Sequence, residues 1–169
     1  MFSVSGDHTK RGEQRVKIRV WVGPSRISGT GLFTAQEIKK GTRIIQYIGQ
    51  RISKEETAER LYQGNQYIFE FNDRYNMDGK TLKNKARYIN HSCDPNCEIM
   101  ITKRTIWIVA KRDIKAGEEL SYNYGFTGKH YRCTCRAHNC CGYISLLRSI
   151  GRGVRPYDTC PYWSLAHAC

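Results

Sequence analysis

Three thiols, Cys133, Cys135 and Cys140, stand in a C-x-C-x4-C spacing toward the C-terminal end of the chain. Thiolates this close together suit a structural zinc ion, which takes four ligands in a tetrahedron. The short loop supplies three. The fourth has to come from His138, from Cys141 or from elsewhere in the chain. A bound metal would also hold in place a segment too irregular to order itself. Free surface thiols are the plainer alternative and leave that irregularity unexplained.

A second group, Arg87-Tyr88-Ile89-Asn90-His91-Ser92-Cys93-Asp94-Pro95-Asn96, packs an amide, an imidazole, a hydroxyl and a thiol ahead of a proline. On chemistry alone this is a metal site, a Cys–His nucleophile or a polar turn. Neighbouring residues rarely reach the geometry that a Cys–His nucleophile needs, with its base oriented by a third group. Gly29-Thr30-Gly31 allows backbone to approach a ligand closely. It lacks the third glycine and following helix of a dinucleotide fingerprint, so alone it is an ordinary tight turn. In Glu118-Glu119-Leu120-Ser121-Tyr122-Asn123-Tyr124-Gly125, two tyrosines at i and i+2 face one side of a strand. Two phenols on one wall suit a channel for an amine; an aromatic core strand is the competing reading.

The elements that must position these groups are short. Val16 to Val22 alternates as a strand, broken at Gly23-Pro24-Ser25. Leu32-Phe33 begins a second strand after the glycine turn, and Thr42 to Ile48 forms a third. Ser53-Lys54-Glu55-Glu56 is a capping box, which predicts a helix over Lys54–Tyr62 stopped near Gly64. Tyr67 to Phe71 reads as a strand with a turn at Asn72-Asp73. Cys97 to Ala110 reads as a hairpin turning near Lys103-Arg104, and Ala116-Gly117-Glu118 is another turn. Many short strands, irregular spacing and little helix predict a mostly β domain.

A length of 169 residues fits one domain, and a 40% hydrophobic content can build its core. A net charge of +13 favours anionic partners such as nucleic acid, nucleosomes or an acidic membrane surface, unless it is only a Lys-rich solvated surface. With 11% aromatics the chain is not a disordered basic tail. No stretch approaches the roughly 20 apolar residues of a bilayer span. Met1 to Asp7 lacks the regions of a signal peptide, so an intracellular, reducing location is expected. The eight cysteines then read as metal ligands or free thiols rather than disulfides.

Taken in order, four segments resemble the SET domain of protein lysine methyltransferases with its post-SET zinc module. They are Ser28-Gly29-Thr30-Gly31-Leu32-Phe33, Arg87 to Asn96 with its Asn-His-Ser-Cys signature, Glu119 to Tyr124, and Cys133-x-Cys135-x4-Cys140. The resemblance covers roughly Lys17 to Ile144. Its compact layout, without a pre-SET cysteine cluster, is most similar to stand-alone SET proteins of bacterial or viral type. It implies a mostly β SET fold of small curved sheets with a pseudoknot, one short helix and a C-terminal zinc-binding segment. The division expected is a loose N-terminus over 1–14, a SET domain over 15–128, a post-SET segment over 129–145 and a tail over 146–169, with Cys160 and Cys169, that matches nothing in the family.

The resemblance further implies a cofactor pocket for S-adenosylmethionine, leaving S-adenosylhomocysteine as product. Gly29, Thr30 and Gly31 would meet its methionine part, and Ser28 and Leu32 would also contact the cofactor. Arg87, Asn90 and His91 would line the pocket beside Tyr67 and Tyr124, and Tyr143 would sit near the adenine. Cys93 would complete the zinc site with Cys133, Cys135 and Cys140. Tyr124 would be the catalytic tyrosine, and Tyr67 and Tyr122 would line the lysine channel. Asn123 departs from the family's usual Asp, at a position whose side chain points away from the channel. The expected substrate is a lysine-containing protein, a histone first, with a contact to nucleosomal DNA through the basic surface and a chromatin location in a eukaryotic or host nucleus; a bacterial source would make it cytoplasmic. Two alternatives stand beside this: a chromatin or nucleic-acid binding module without catalysis, and a methyltransferase for a non-histone protein, since so basic a chain should repel a Lys-rich tail unless Glu70, Asp73 or Asp78 make the peptide groove locally acidic.

Overall fold

A computed structural model describes residues 17–125, 131–140 and 142–144. The expectations for residues 1–14, for Cys141 and for the tail with Cys160 and Cys169 lie outside the described residues. The chain is mostly β. β1 (Val20–Pro24) and β2 (Thr30–Thr34) form an antiparallel hairpin; β3 (Arg43–Tyr47) and β4 (Gln50–Ser53) lead into α1 (Lys54–Tyr62). β5 (Ile68–Glu70) and β6 (Tyr75–Asp78) follow, then a single 3-10 turn (Lys85–Tyr88), β7 (Asn90–His91), β8 (Cys97–Ile101) and β9 (Ile106–Ala110). The last three strands, β10 (Ser121–Tyr122), β11 (Tyr131–Arg132) and β12 (Tyr143–Ile144), span two residues each.

The core sits on the sheet β3-β9-β8. Its central strand reads Ile-Trp-Ile-Val-Ala, and Ile106 and Ile108 are completely buried, as are Leu32 and Leu120 from other elements. Burying each such side chain contributes about 1.5–3 kcal/mol before chain entropy is counted. A second antiparallel sheet, ordered β4-β6-β5, carries the helix. In the capping box, Ser53 Oγ accepts from the Glu56 N–H at 3.1 Å, and Glu56 Oε2 accepts from the Ser53 N–H at 3.0 Å. Only Thr57 of α1 is buried, so polar contacts attach the helix. Asn76 Nδ2 donates to Thr57 Oγ1 at 2.9 Å, and Arg60 pairs with the Asp78 carboxylate.

The helix bounds, the β8–β9 hairpin and the turns at Asn72 and Gly117 agree with the sequence pattern. The first hairpin differs. β1 runs through Gly23-Pro24 instead of stopping there, and Thr30 and Gly31 lie in β2 opposite Pro24 and Gly23. The turn is therefore Ser25 to Gly29. Proline can end an antiparallel strand in this way at the last paired position of an edge. The pair β7–β10 was not legible at all: two residues carry no period. It is parallel, with Asn90 opposite Ser121 and His91 opposite Tyr122, and the whole β8–β9 hairpin lies between its members in sequence.

Candidate functional site

The parallel pair brings the Asn-His segment against the tyrosine segment. The Ser92 N–H donates to the Tyr122 carbonyl at 3.1 Å, extending the pairing by one residue. β10 ends at Tyr122, so Tyr124 lies beyond the strand, yet the two rings still meet at 4.8 Å between centroids. A chain of rings runs from Tyr47 to Phe69 at 5.1 Å, from Phe69 to Tyr122 at 5.9 Å, on to Tyr124, and from there to His91 at 5.3 Å. The Tyr124 hydroxyl donates to the Ile89 carbonyl at 3.0 Å. Burial, with Tyr67 adding to it, pushes that phenol up to about 12, so it stays protonated at neutral pH. Tyr122 is pushed up by burial as well. Asn123 is exposed, and its side chain accepts from the Gly125 N–H at 2.9 Å, turned away from the rings as expected.

Tyr67 borders the same region. Its carbonyl accepts from the buried Tyr47 hydroxyl at 2.8 Å, and the Arg87 guanidinium lies 4.0 Å over its ring. Arg87 also donates to the Lys80 carbonyl, while its buried Nε finds no partner among the described residues. His91 is buried. Its Nδ1 accepts from the Tyr124 N–H at 3.2 Å, and its Nε2 faces Cys93 Sγ at 3.4 Å. Burial lowers its pKa to about 4, which keeps the ring neutral.

Asn90 organises the glycine turn. Its Nδ2 lies 3.0 Å from the Ser28 carbonyl, 3.1 Å from the Thr30 carbonyl, and 3.0 Å from both Ser25 Oγ and Glu119 Oε1. Ser25 Oγ in turn donates to Glu119 Oε1 at 2.6 Å. The two glycines differ in purpose. Gly29 has φ +48°, and a Cβ there would meet nothing within 4 Å, so this side of the turn is open. At Gly31 a Cβ would stand 2.5 Å from Glu119 Oε1, so a side chain there would displace the carboxylate that Ser25 and Asn90 hold. Ser28 and Thr30 are exposed, whereas the Leu32 side chain is wholly within the core. The open glycine turn, with exposed polar neighbours beside the tyrosines, fits a polar ligand such as S-adenosylmethionine. Tyr143, on β12, is 55% exposed.

The sulfur atoms of Cys93, Cys133, Cys135 and Cys140 all lie within 4.8 Å of one another. A zinc tetrahedron with bonds of about 2.3 Å has sulfurs about 3.8 Å apart, so the set fits. Cys93 and Cys133 are already 4.0 Å apart. Backbone N–H groups of Cys93 and Gly142 point at the sulfurs of Cys135 and Cys140, at 3.5 and 3.3 Å. His138 is exposed and stands outside the cluster, as does Cys97, whose thiol donates to Asn96 Oδ1 at 3.3 Å.

Ser25, Glu119 and Tyr47 have roles that sequence reasoning missed. Their partners are distant in the chain, and no local spacing marks them. The acidic residues behave unequally: Asp78 is buried and tied to Arg60 and Asn65, Glu70 lies 3.7 Å from Lys54, and Asp73 is exposed in its turn. No helix among the described residues is long and apolar enough to cross a membrane.

Comparison with known proteins gives a consistent set of relatives. The family model described as "SET domain" matches residues 29–125. Histone-lysine N-methyltransferase trr of Drosophila melanogaster is 40% identical over 78% of this chain and 6% of its own length. The H3 lysine-4 specific histone-lysine N-methyltransferase of Schizosaccharomyces pombe is 39% identical over 76% of the chain and 15% of its own. Histone-lysine N-methyltransferase 2D of Homo sapiens is 36% identical over 73% and 2%. The chain thus spans only a small part of each of these relatives.

Proposed function

Because this chain belongs to the SET-domain family, we propose that it is an S-adenosylmethionine-dependent protein-lysine N-methyltransferase with histones as its leading substrate class. The observation that carries this reading is the parallel pairing of β7 with β10, which joins the Asn-His pair to the tyrosine wall beside one open glycine turn. When bound, S-adenosylmethionine supplies an electrophilic methyl group on a sulfonium.

The residues of the chain do the rest. A lysine side chain is ordinarily protonated, with a pKa near 10.4, and the reaction needs it neutral. Phe69, Tyr122 and Tyr124 pack ring to ring and exclude water from the amine, and that loss of hydration disfavours its charged form. The Tyr124 hydroxyl donates its proton to the Ile89 carbonyl, which fixes the direction of the phenol beside the amine. Holding amine and methyl donor in line supplies much of the rate. Asn90, Ser28, Gly29 and Thr30 form the cofactor turn, with His91 behind Tyr124. Tyr143 is assigned to the adenine end and Leu32 to the wall behind the turn. Cys93, Cys133, Cys135 and Cys140 hold a structural zinc as a post-SET module. β5 is the edge of its sheet, and an extended substrate peptide can pair with it beside Tyr67.

Chromatin is the proposed location, with nucleosomal DNA as a second contact. Support comes from Lys80, Lys83 and Lys85, all exposed, in a stretch from Gly79 to Cys93 that contains no acidic residue. The test is transfer of radioactive methyl from S-adenosylmethionine into nucleosomes, free histones and whole-cell lysate, with mass spectrometry of the labelled lysine. The relative named for H3 lysine 4 makes that residue the first to inspect. Label in histone lysine is the expected outcome. No transfer to any of the three rejects catalysis, and label in non-histone proteins alone rejects the histone assignment.

A further inference from the structure

The thiol loop touches the rest of the molecule through more than its sulfurs. Gln66 Nε2 donates to the Tyr131 hydroxyl at 3.3 Å, and Asn139 Nδ2 donates to the Cys93 carbonyl at 3.4 Å. The shortest contact is the Thr134 hydroxyl donating to the Ile27 carbonyl at 2.6 Å, across 107 residues of chain. Thr134 stands between two of the clustered thiols, Cys133 and Cys135. Ile27 stands in the turn from Ser25 to Gly29. Ser25 Oγ accepts there from the Ile27 N–H at 2.8 Å and the Ser28 N–H at 3.1 Å, while Asn90 holds the Ser28 carbonyl. One hydroxyl therefore connects the thiol loop to the backbone that leads into the open side of Gly29.

We propose that Thr134 is a positioning residue, a latch that couples metal occupancy of the thiol loop to cofactor affinity at the glycine turn. The latch rests on the function proposed above for the identity of the two ligands. Its position follows from geometry: the sulfurs fix Cys133 and Cys135, so the residue between them has little freedom, and its hydroxyl fixes Ile27 in turn. Coupling of this kind is reciprocal. Metal loading tightens cofactor binding, and a bound cofactor tightens metal binding by the same factor.

The test uses the whole chain, Thr134→Val, which keeps the shape and removes the donor, and Thr134→Ser, which restores it. Three quantities are measured: zinc per chain by elemental analysis, affinity for S-adenosylhomocysteine by calorimetry, and the zinc that a chromogenic chelator takes at equilibrium with and without S-adenosylhomocysteine. In the unaltered protein and Thr134→Ser, S-adenosylhomocysteine should protect the zinc from the chelator. Thr134→Val should keep its full zinc, bind S-adenosylhomocysteine about three- to tenfold more weakly, as loss of one hydrogen bond allows, and lose most of the protection. Unchanged affinity and protection in Thr134→Val overturns the latch. Reduced zinc in that variant makes Thr134 a part of the metal loop alone and also overturns it. An unaltered protein that binds no S-adenosylhomocysteine overturns the functional reading, and the latch with it.

Discussion

At the scale of single residues the proposed function separates side chains that would meet the amine from those that would shape the cofactor turn. Tyr124→Phe removes the oxygen proposed to face the amine and leaves the Asn90 hydrogen bonds in place. Turnover should fall by about a hundredfold or more, with S-adenosylhomocysteine affinity nearly unchanged in calorimetry. Asn90→Ala should do the reverse and weaken cofactor binding, since the Ser28 and Thr30 carbonyls lose their donor. Because burial holds the Tyr124 phenol protonated to about 12, the rate should rise with pH as the substrate amine loses its proton. A loss of rate with an apparent pKa near 10 would mean that Tyr124 ionises normally, against this account. We propose that Tyr122 governs how many methyl groups the site accepts. Its ring is buried against Phe69 and Tyr124, where a hydroxyl can hold a water at the amine and crowd a methylated nitrogen. Mass spectrometry after long incubation should find mono- and dimethyl-lysine from the unaltered protein and more trimethyl-lysine from Tyr122→Phe. An identical product ratio in both would leave Tyr122 as packing alone.

At the scale of elements the C-terminal segment depends most on something other than local propensity. β11 and β12 are two residues each and pair antiparallel at two positions, too little to order a segment in water. The zinc proposed for the four thiols would supply the missing restraint. One zinc per chain is therefore expected by elemental analysis after purification without chelator, and Cys133→Ser should lose it. A Cys133→Ser protein that retains the full complement would remove that sulfur from the site. The helix has the opposite character. Its boundaries follow from Ser53 and Glu56, four residues of local sequence, and hardly any apolar surface is needed to define it.

At the scale of the molecule the excess of cations matters. Replacing Lys80, Lys83 and Lys85 together by Gln should weaken nucleosome binding and lower the slope of log affinity against log salt by about one for each phosphate contact removed. Activity on a free histone peptide should change little. An unaltered salt slope would place the DNA contact on another face.

What the sequence decided alone was local or carried by residue identity: the helix from its capping box, the β8–β9 hairpin from its apolar runs, the three-thiol loop from its spacing, and the family from four motifs in order. These signals survive because each is written within a few neighbouring residues. The tertiary structure decided the rest. It moved the first turn to Ser25–Gly29, since strand pairing carried β1 through Gly23-Pro24. It set Asn90-His91 against Ser121-Tyr122 in a parallel pair too short to have a period. It brought Cys93 to sulfurs some forty positions later in the chain, which spacing alone had left open among several candidates. It made Glu119 and Ser25 partners across 94 residues, and Thr134 and Ile27 partners across 107. Contacts of that kind form only when the hydrophobic core closes long loops, and no local pattern encodes where those loops close.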